Sequence, residues 1–344
     1  MPVADYQTYC RMLDGAREQH FAYPAFNVTS LSTVNAVLMG LAQAKSDGII
    51  QVSTGGAAFA SGQVLKDMPL GAISIADHVH RVAPRYPIYV ALHTDHCQAD
   101  KLENYVLPLV AETERRRSLG QPNLFSSHMF DGSALPLQEN LDIAVKLLER
   151  FHKAELILEI EAGVVGGEED GVKAEGASQA KLYTTPQDMV EVARRFRAVP
   201  GARYLLAATF GNVHGVYKPG HVQLKPSILK DGQEAVARAF GPEARFDLVF
   251  HGGSGSALED IHAAIDYGVV KFNIDTDTQY AYTRPIADHF FKHYDGVLKV
   301  DGELGDKKVY DPRSYLAAAE AAMAARVRQA VEDLRALGTS LYQS

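Results

Sequence analysis

The sequence predicts an α/β fold closed into a (β/α)8 TIM barrel, because eight short apolar runs rich in β-branched residues alternate with helical stretches along its 344 residues. A second observation points the same way: every run delivers polar side chains at its carboxyl end, the rim where such barrels carry chemistry. With 47% hydrophobic and 22% charged residues, the chain can bury a large core.

The elements follow in order. An opening helix over about 3–18 precedes AYPAFNV (22–28), which ends at Asn27. The stretch STVNAVLMGLAQAKSD reads as a helix and leads to GIIQVST (48–54), which carries Ser53. IYVALHT (88–94) runs into Asp95 and His96, and LFSSHMF (124–130) into Asp131. The helical stretch LQENLDIAVKLLERFHKAE then feeds ELILEIE (155–161), with carboxylates at Glu155, Glu159 and Glu161. At period 2 these three share one face, which requires a polar interior on that side. YLLAATF (204–210) leads to His214, FDLVFHG (246–252) carries His251, and VVKFNID (269–275) carries Asn273 and Asp275. Two connections are unusually long: GVVGGEEDGVKAEGASQ (163–179), expected as a mobile loop after strand five, and GNVHGVYKPGHVQLKPS (211–227). A helical extension fills about 280–344, with an alanine-rich helix from Tyr315. No repeat or linker interrupts the chain, so 1–344 reads as a single barrel domain.

Charge and composition exclude several classes. The net charge is −8, and the basic runs ERRRS and VARRFRA have the composition of solvated helix faces, so nucleic acid is not an expected partner. No basic-then-apolar leader opens the chain and no long uncharged apolar stretch crosses a membrane. Two cysteines, Cys10 and Cys97, do not make a disulfide framework. The expected location is the cytoplasm.

Among 13 histidines, three sit at strand ends in the short contexts TDHC, NVHG and FHGG: His96, His214 and His251. Three imidazoles with one position left open make a catalytic zinc arrangement. Their spacing fits no local zinc motif, and His93 and His128 are rivals, the former on the opposite strand face from His96. HGGSGS (251–256) follows strand seven, where the amides of Gly252, Gly253 and Ser254 could form an anion nest, or simply a flexible loop. GGEEDG (166–171) is either a solvated acidic turn or a glycine-hinged lid that carries a base to the site.

The motifs ALHTDHC, SSHMFDGS, LEIEAGVVGGEEDGV, ATFGNVHGVYKPG, VFHGGSGS and VVKFNIDTDTQYA, taken in this order, resemble those of class II, metal-dependent fructose-1,6-bisphosphate aldolases. The resemblance covers essentially the whole chain. MFDGSALPL and the segment 172–180 depart from the pattern, and touch only the surroundings of Asp131. The resemblance implies a zinc-dependent barrel, a homodimer or possibly a tetramer, that joins dihydroxyacetone phosphate and glyceraldehyde 3-phosphate through a zinc-stabilised enediolate. It implies that His96, His214 and His251 hold the catalytic Zn2+, with Asp131 and Glu161 a second metal position. Asp95 would be the acid/base at the C4 oxygen and Glu169 the base at C3. Gly215, Gly252, Gly253, Ser254, Asp275 and Thr276 would receive the ketone phosphate, with Asn273 near its carbonyl. Asn27 and Ser53 would contact substrate, Lys307 and Arg313 would grip the second phosphate, and carbonyls near Gly215 and Gly252 would bind Na+ or K+.

Three rival readings remain open at this level. A tagatose-1,6-bisphosphate aldolase would share the barrel and the metal. A Schiff-base aldolase would use Lys271, which shares a strand face with Asn273 and Asp275. A non-catalytic sugar-phosphate binder would need neither Asp95 nor Glu169.

Overall fold

The computed structural model describes residues 2–163, 166–169, 172–173, 183–214, 224–297 and 305–342. Its centre is a closed barrel of eight parallel strands. The first five are β1 (Tyr23–Asn27), β2 (Gly48–Val52), β3 (Val90–Thr94), β4 (Ser127–Phe130) and β5 (Ile157–Ala162). Beyond β5 come two short strands outside the barrel, β6 (Gly166–Glu169) and β7 (Val172–Lys173). The ring resumes with β8 (Tyr204–Ala208), leaves again at β9 (Val213–His214), and closes through β10 (Asp247–Phe250) and β11 (Val269–Ile274). Each barrel strand falls within, or one residue beyond, one of the eight expected runs. β11 pairs with β1 in register from Tyr23↔Lys271 to Phe26↔Ile274, and this pairing completes the ring.

Helices cover the outside. α1 (Tyr6–Gln19) is capped by Asp5, whose carboxylate accepts from the Thr8 amide at 2.8 Å. α2 (Leu31–Ala44) starts with a reciprocal capping box between Ser30 and Thr33. α3 (Thr54–Ala60), α4 (Met68–Val82), α5 (Val106–Ser118) and α6 (Leu137–Lys153) follow the next strands. α7 (Pro186–Phe196), α8 (Ser227–Phe240) and α9 (Leu258–Asp266) complete the layer. The extension is α10 (Thr276–Lys292), α11 (Tyr294–Val297), α12 (Lys307–Tyr310) and α13 (Pro312–Asp333). α13 packs on α2 so closely that a Cβ on Gly40 would lie 2.6 Å from the Ala324 carbonyl oxygen and the Val327 side chain.

Two polar clusters hold the amino end of the barrel. Asp247 at the head of β10 accepts from Arg17 of α1 at 3.0 Å and from Arg203 at 2.8 Å, which seats the opening helix. Asp47 is fully buried and accepts from the Tyr89 amide (2.7 Å), the Ser340 hydroxyl (2.6 Å) and the Leu341 amide (2.8 Å). It thereby pins the carboxyl-terminal tail beneath the strands. Among the described residues, no helix is long and apolar enough to cross a membrane.

One expectation is corrected. Glu155 does not share the inner face with Glu159 and Glu161, because β5 begins only at Ile157. Glu155 has φ 52° at the turn after α6 and pairs on the surface with Arg117 at 2.8 Å. Period 2 applies only inside the strand, so the face is shared by two carboxylates rather than three.

Candidate functional site

The inner faces of the strands carry a polar array that crosses the barrel lumen. Lys271 of β11 and Glu159 of β5 are separated by two intervening strands, yet their charged atoms lie 2.9 Å apart, so the contact spans the interior. The other Glu159 oxygen accepts from His251 Nε2 at 2.8 Å. His93 lies on the same level, with Nδ1 2.7 Å from Ser127 Oγ and Nε2 3.4 Å from Glu159. All four of Lys271, Glu159, His93 and His251 are fully buried.

Directly above sit Asp95 and His96, just past the end of β3. Asp95 is also fully buried, and both of its oxygens receive amide N–H donors: Asn27 Nδ2 at 2.9 Å and Asn273 Nδ2 at 3.2 Å. Those amides are themselves oriented. Gln51 donates to the Asn27 oxygen at 2.6 Å, and Lys271 donates to the Asn273 oxygen at 2.7 Å. With each amide oxygen occupied, the NH2 group must face the carboxylate. His96 has φ 24°, a left-handed conformation unusual for a residue with a Cβ, and this turn aims its ring back over the mouth.

Two histidine rings converge there. His96 Nε2 and His251 Nδ1 are 2.9 Å apart, while His96 Nδ1 is 3.1 Å from Asp131 and His251 Nε2 is held by Glu159. Each ring thus has one nitrogen tied to a carboxylate and the other turned to a common point, where His251 Nδ1 also lies 3.4 Å from Glu161. Tetrahedral zinc with bonds of about 2.0–2.1 Å would set two such nitrogens about 3.3 Å apart, close to the observed separation. Single ligand atoms of Asp95, His96 and His251 lie within 4.8 Å of one another, as do those of His96, Asp131 and Glu161. These donors fit a divalent cation that accepts nitrogen and oxygen.

The electrostatics follow from burial against close charge. Burial opposes ionisation of Asp95, but His96, Lys271 and His251 together hold its carboxyl below the usual range. For Glu159 burial is likewise outweighed, by Lys271, His93 and the hydrogen bond from His251. Glu161 goes the other way, raised by burial and by the neighbouring Asp131 charge. His251 is pushed up to about 9, since the hydrogen bonds to Glu159 and Glu161 overcome its burial. His93, by contrast, falls to about 3 through burial and the adjacent Lys271 ammonium.

The remaining expected residues divide. Ser53 caps α3 by accepting from the Gly56 amide at 3.1 Å. Gly252, with φ 61°, Gly253 and Ser254 form the loop after β10, and a Cβ on Gly253 would lie 2.1 Å from Phe272 Cζ. Asp275 and Thr276 stand at the start of α10. His214 enters through its backbone in β9, paired in parallel with β6, where Gly167 is its partner. Glu169 lies at the end of β6 and pairs with Val172. The two long connections therefore share one small sheet, β7–β6–β9. Gly215 and Asp170 lie outside the described residues, as does most of the loop expected to be mobile. Lys307 and Arg313 are exposed at the starts of α12 and α13, and the Arg313 guanidinium is bound to Asp311 at 2.6 Å. Neither makes a described hydrogen bond or ion pair to the strand-end group.

His128 points outward, packing on Phe125 and Phe151 with Nδ1 2.8 Å from Thr94, so this rival is a residue of the helix-facing layer. Lys271, the rival nucleophile, is fully buried with its Nζ 2.9 Å from the Glu159 carboxylate, so the nitrogen a Schiff base would need is engaged in an ion pair. Cys97 is fully buried and Cys10 partly so, and both are free thiols. Gln51 is absent from the expected site, and Glu159 is expected there only as a carboxylate of the polar inner face, with no role. Their signal was a polar side chain at an inward position of an otherwise apolar strand.

Comparison with known proteins agrees with this geometry. The family model described as fructose-bisphosphate aldolase class-II matches residues 7–339. The chain is 56% identical to the fructose-bisphosphate aldolase of Mycobacterium leprae, with 100% of both chains covered. It is 57% identical to that of Mycobacterium tuberculosis strain H37Rv, over 99% of each. Its fold superposes on the crystal structure of fructose-bisphosphate aldolase from Campylobacter jejuni with a TM-score of 0.85 at 37% identity, covering 98% of this chain and 96% of the other. By sequence, by fold and by the groups gathered at the barrel mouth, the chain belongs to the class II fructose-bisphosphate aldolase family.

Proposed function

We propose that the chain reversibly cleaves fructose 1,6-bisphosphate to dihydroxyacetone phosphate and glyceraldehyde 3-phosphate, with a zinc ion at the barrel mouth. The observation that carries this reading is the convergence of His96, His251 and Asp95 on one point, with ligand atoms within 4.8 Å of one another. His96, His214 and His251 would hold the ion, and Asp131 and Glu161 would offer a second position. When bound, zinc supplies Lewis-acid withdrawal of electron density from the ketone carbonyl.

The chain's own residues do the rest. Asp95 accepts two amide N–H bonds and stays an acceptor, so it would take the proton from the C4 hydroxyl during cleavage and return it during condensation. Glu169 would handle the proton at C3. Gly215, Gly252, Gly253, Ser254, Asp275 and Thr276 would receive the ketone phosphate. Asn273 would sit near the carbonyl, and Asn27 and Ser53 near the substrate chain. Carbonyls near Gly215 and Gly252 would hold Na+ or K+. Lys307 and Arg313 would reach the second phosphate, which favours a homodimer in which the arginine crosses to the neighbouring site. The setting would be the cytoplasm.

The test is an initial-rate cleavage assay on fructose and tagatose 1,6-bisphosphates, with and without EDTA, followed by zinc add-back. Fructose should be the better substrate, and chelation should abolish its cleavage until zinc is restored. Preference for tagatose, or activity that survives EDTA and traps with borohydride, would overturn the reading.

A further inference from the structure

Lys271 is a buried cation with no place in the chemistry above. It is fully buried within the lumen, where an unpaired ammonium would be heavily penalised, and it meets two acceptors. One is the Glu159 carboxylate at 2.9 Å, and the other is the Asn273 amide oxygen at 2.7 Å. Each acceptor leads upward to a different half of the site. Glu159 continues to His251 Nε2 at 2.8 Å, leaving His251 Nδ1 turned toward His96 at 2.9 Å and toward Glu161 at 3.4 Å. Asn273 continues through its Nδ2 to Asp95 at 3.2 Å.

We infer that Lys271 is a positioning residue that fixes the metal-binding nitrogen of His251 through Glu159 and the carboxylate of Asp95 through Asn273. The inference rests on the metal-dependent reading above. The physical basis is directional. An amide whose oxygen accepts from an ammonium cannot present that oxygen to Asp95, so its NH2 group must face the carboxylate. Without Lys271 the amide is free to flip, and the flipped form sets oxygen against oxygen. A Glu159 anion held by an ammonium is, in the same way, a fixed acceptor for His251 Nε2–H, which commits Nδ1 to the mouth. One side chain thereby sets the geometry of both a ligand, His251, and a proton acceptor, Asp95, which lie 156 residues apart in sequence. The third buried neighbour, His93 at 3.4 Å from Glu159, is too far for a strong hydrogen bond and does not replace the lysine.

The experiment uses three full-length variants: Lys271→Met, Glu159→Gln and the double variant. Zinc affinity is read by competition with a chromophoric chelator, kcat and KM by cleavage assay, and folding by circular dichroism and thermal melting. Lys271→Met should bind zinc roughly 10–100-fold more weakly. Its kcat, measured at saturating zinc, should fall by more than tenfold while KM changes less than threefold. Glu159→Gln should lose zinc affinity, and its kcat at saturating zinc should fall less than that of Lys271→Met, since it leaves the Asn273 arm intact. In the double variant the loss of zinc affinity should not exceed the larger single loss by more than about threefold, because both changes act on the same histidine. If Lys271→Met does not fold because it strands the Glu159 charge, the double variant, which has neither charge, carries the test against Glu159→Gln. In that comparison only kcat should drop further. A purely structural lysine would lower the melting temperature and leave zinc affinity and kcat of the folded protein unchanged, which overturns the inference. So would additive losses of zinc affinity. Failure of the parent protein to lose activity on chelation refutes the metal-dependent reading instead, and is seen before any variant is made.

Discussion

Replacing Asp95 by Ala separates two roles that its position allows. Its carboxylate lies within 4.8 Å of the ligand atoms of His96 and His251, so it could hold the metal or move the proton. The amide pair favours the second role, since Asn27 and Asn273 already occupy both oxygens at 2.9 Å and 3.2 Å. If Asp95 moves the proton, its loss should lower kcat by about 10²–10⁴, the usual span for a general acid or base. That corresponds to about 3–5 kcal/mol of activation free energy. The fold should tolerate the change. Two amide donors lose their acceptor at about 1–3 kcal/mol each if left dry, but the position borders the mouth, where water can replace the carboxylate. The assay pairs cleavage kinetics with zinc content per chain. Full zinc with kcat reduced at least a hundredfold is the expected result. A kcat within threefold of the parent would remove Asp95 from the mechanism, and loss of zinc would make it a ligand.

Two further substitutions probe the frame. Gly253→Ala forces a Cβ to within 2.1 Å of Phe272 Cζ, so the loop after β10 or the Phe272 ring must shift. A destabilisation of about 1–3 kcal/mol and a raised KM for the bisphosphate are expected, and unchanged KM and melting would show that the loop contacts no phosphate. Asp47→Ala removes the acceptor of the Tyr89 and Leu341 amides and the Ser340 hydroxyl, and should cost about 1–3 kcal/mol with kcat retained. Burial raises the Asp47 pKa in the fold, so the parent loses stability from this group as pH climbs from the ordinary carboxylate value through the raised one. The deficit of the variant, measured by thermal melting, should therefore be largest in acid and shrink across that interval. A constant deficit would place its origin elsewhere.

The barrel was legible in the sequence because its signals are local. Strand and helix periods need only a few neighbouring residues, and a polar residue ending an apolar run marks a rim without knowledge of its partners. Local signals also misled at one point: Glu155 continues the period of Glu159 and Glu161, but the turn after α6 keeps it out of the strand. Lys271 shows the same limit from the other side. Its alternation placed it on the functional face, which suggested a nucleophile, but the pattern could not reveal that Glu159 waits across the lumen.

What the sequence determined by itself is the set of elements, the rim, and most of the residues that gather there. Only the tertiary structure decided which of them meet. Closure of β11 on β1 fixes the stagger of the whole ring, and that stagger brings Asp95 against Asn273 and His96 against His251. It also decided which atoms face inward. Each amide and imidazole has two ends, and the choice between them follows from a partner on a distant strand rather than from any neighbour in the chain.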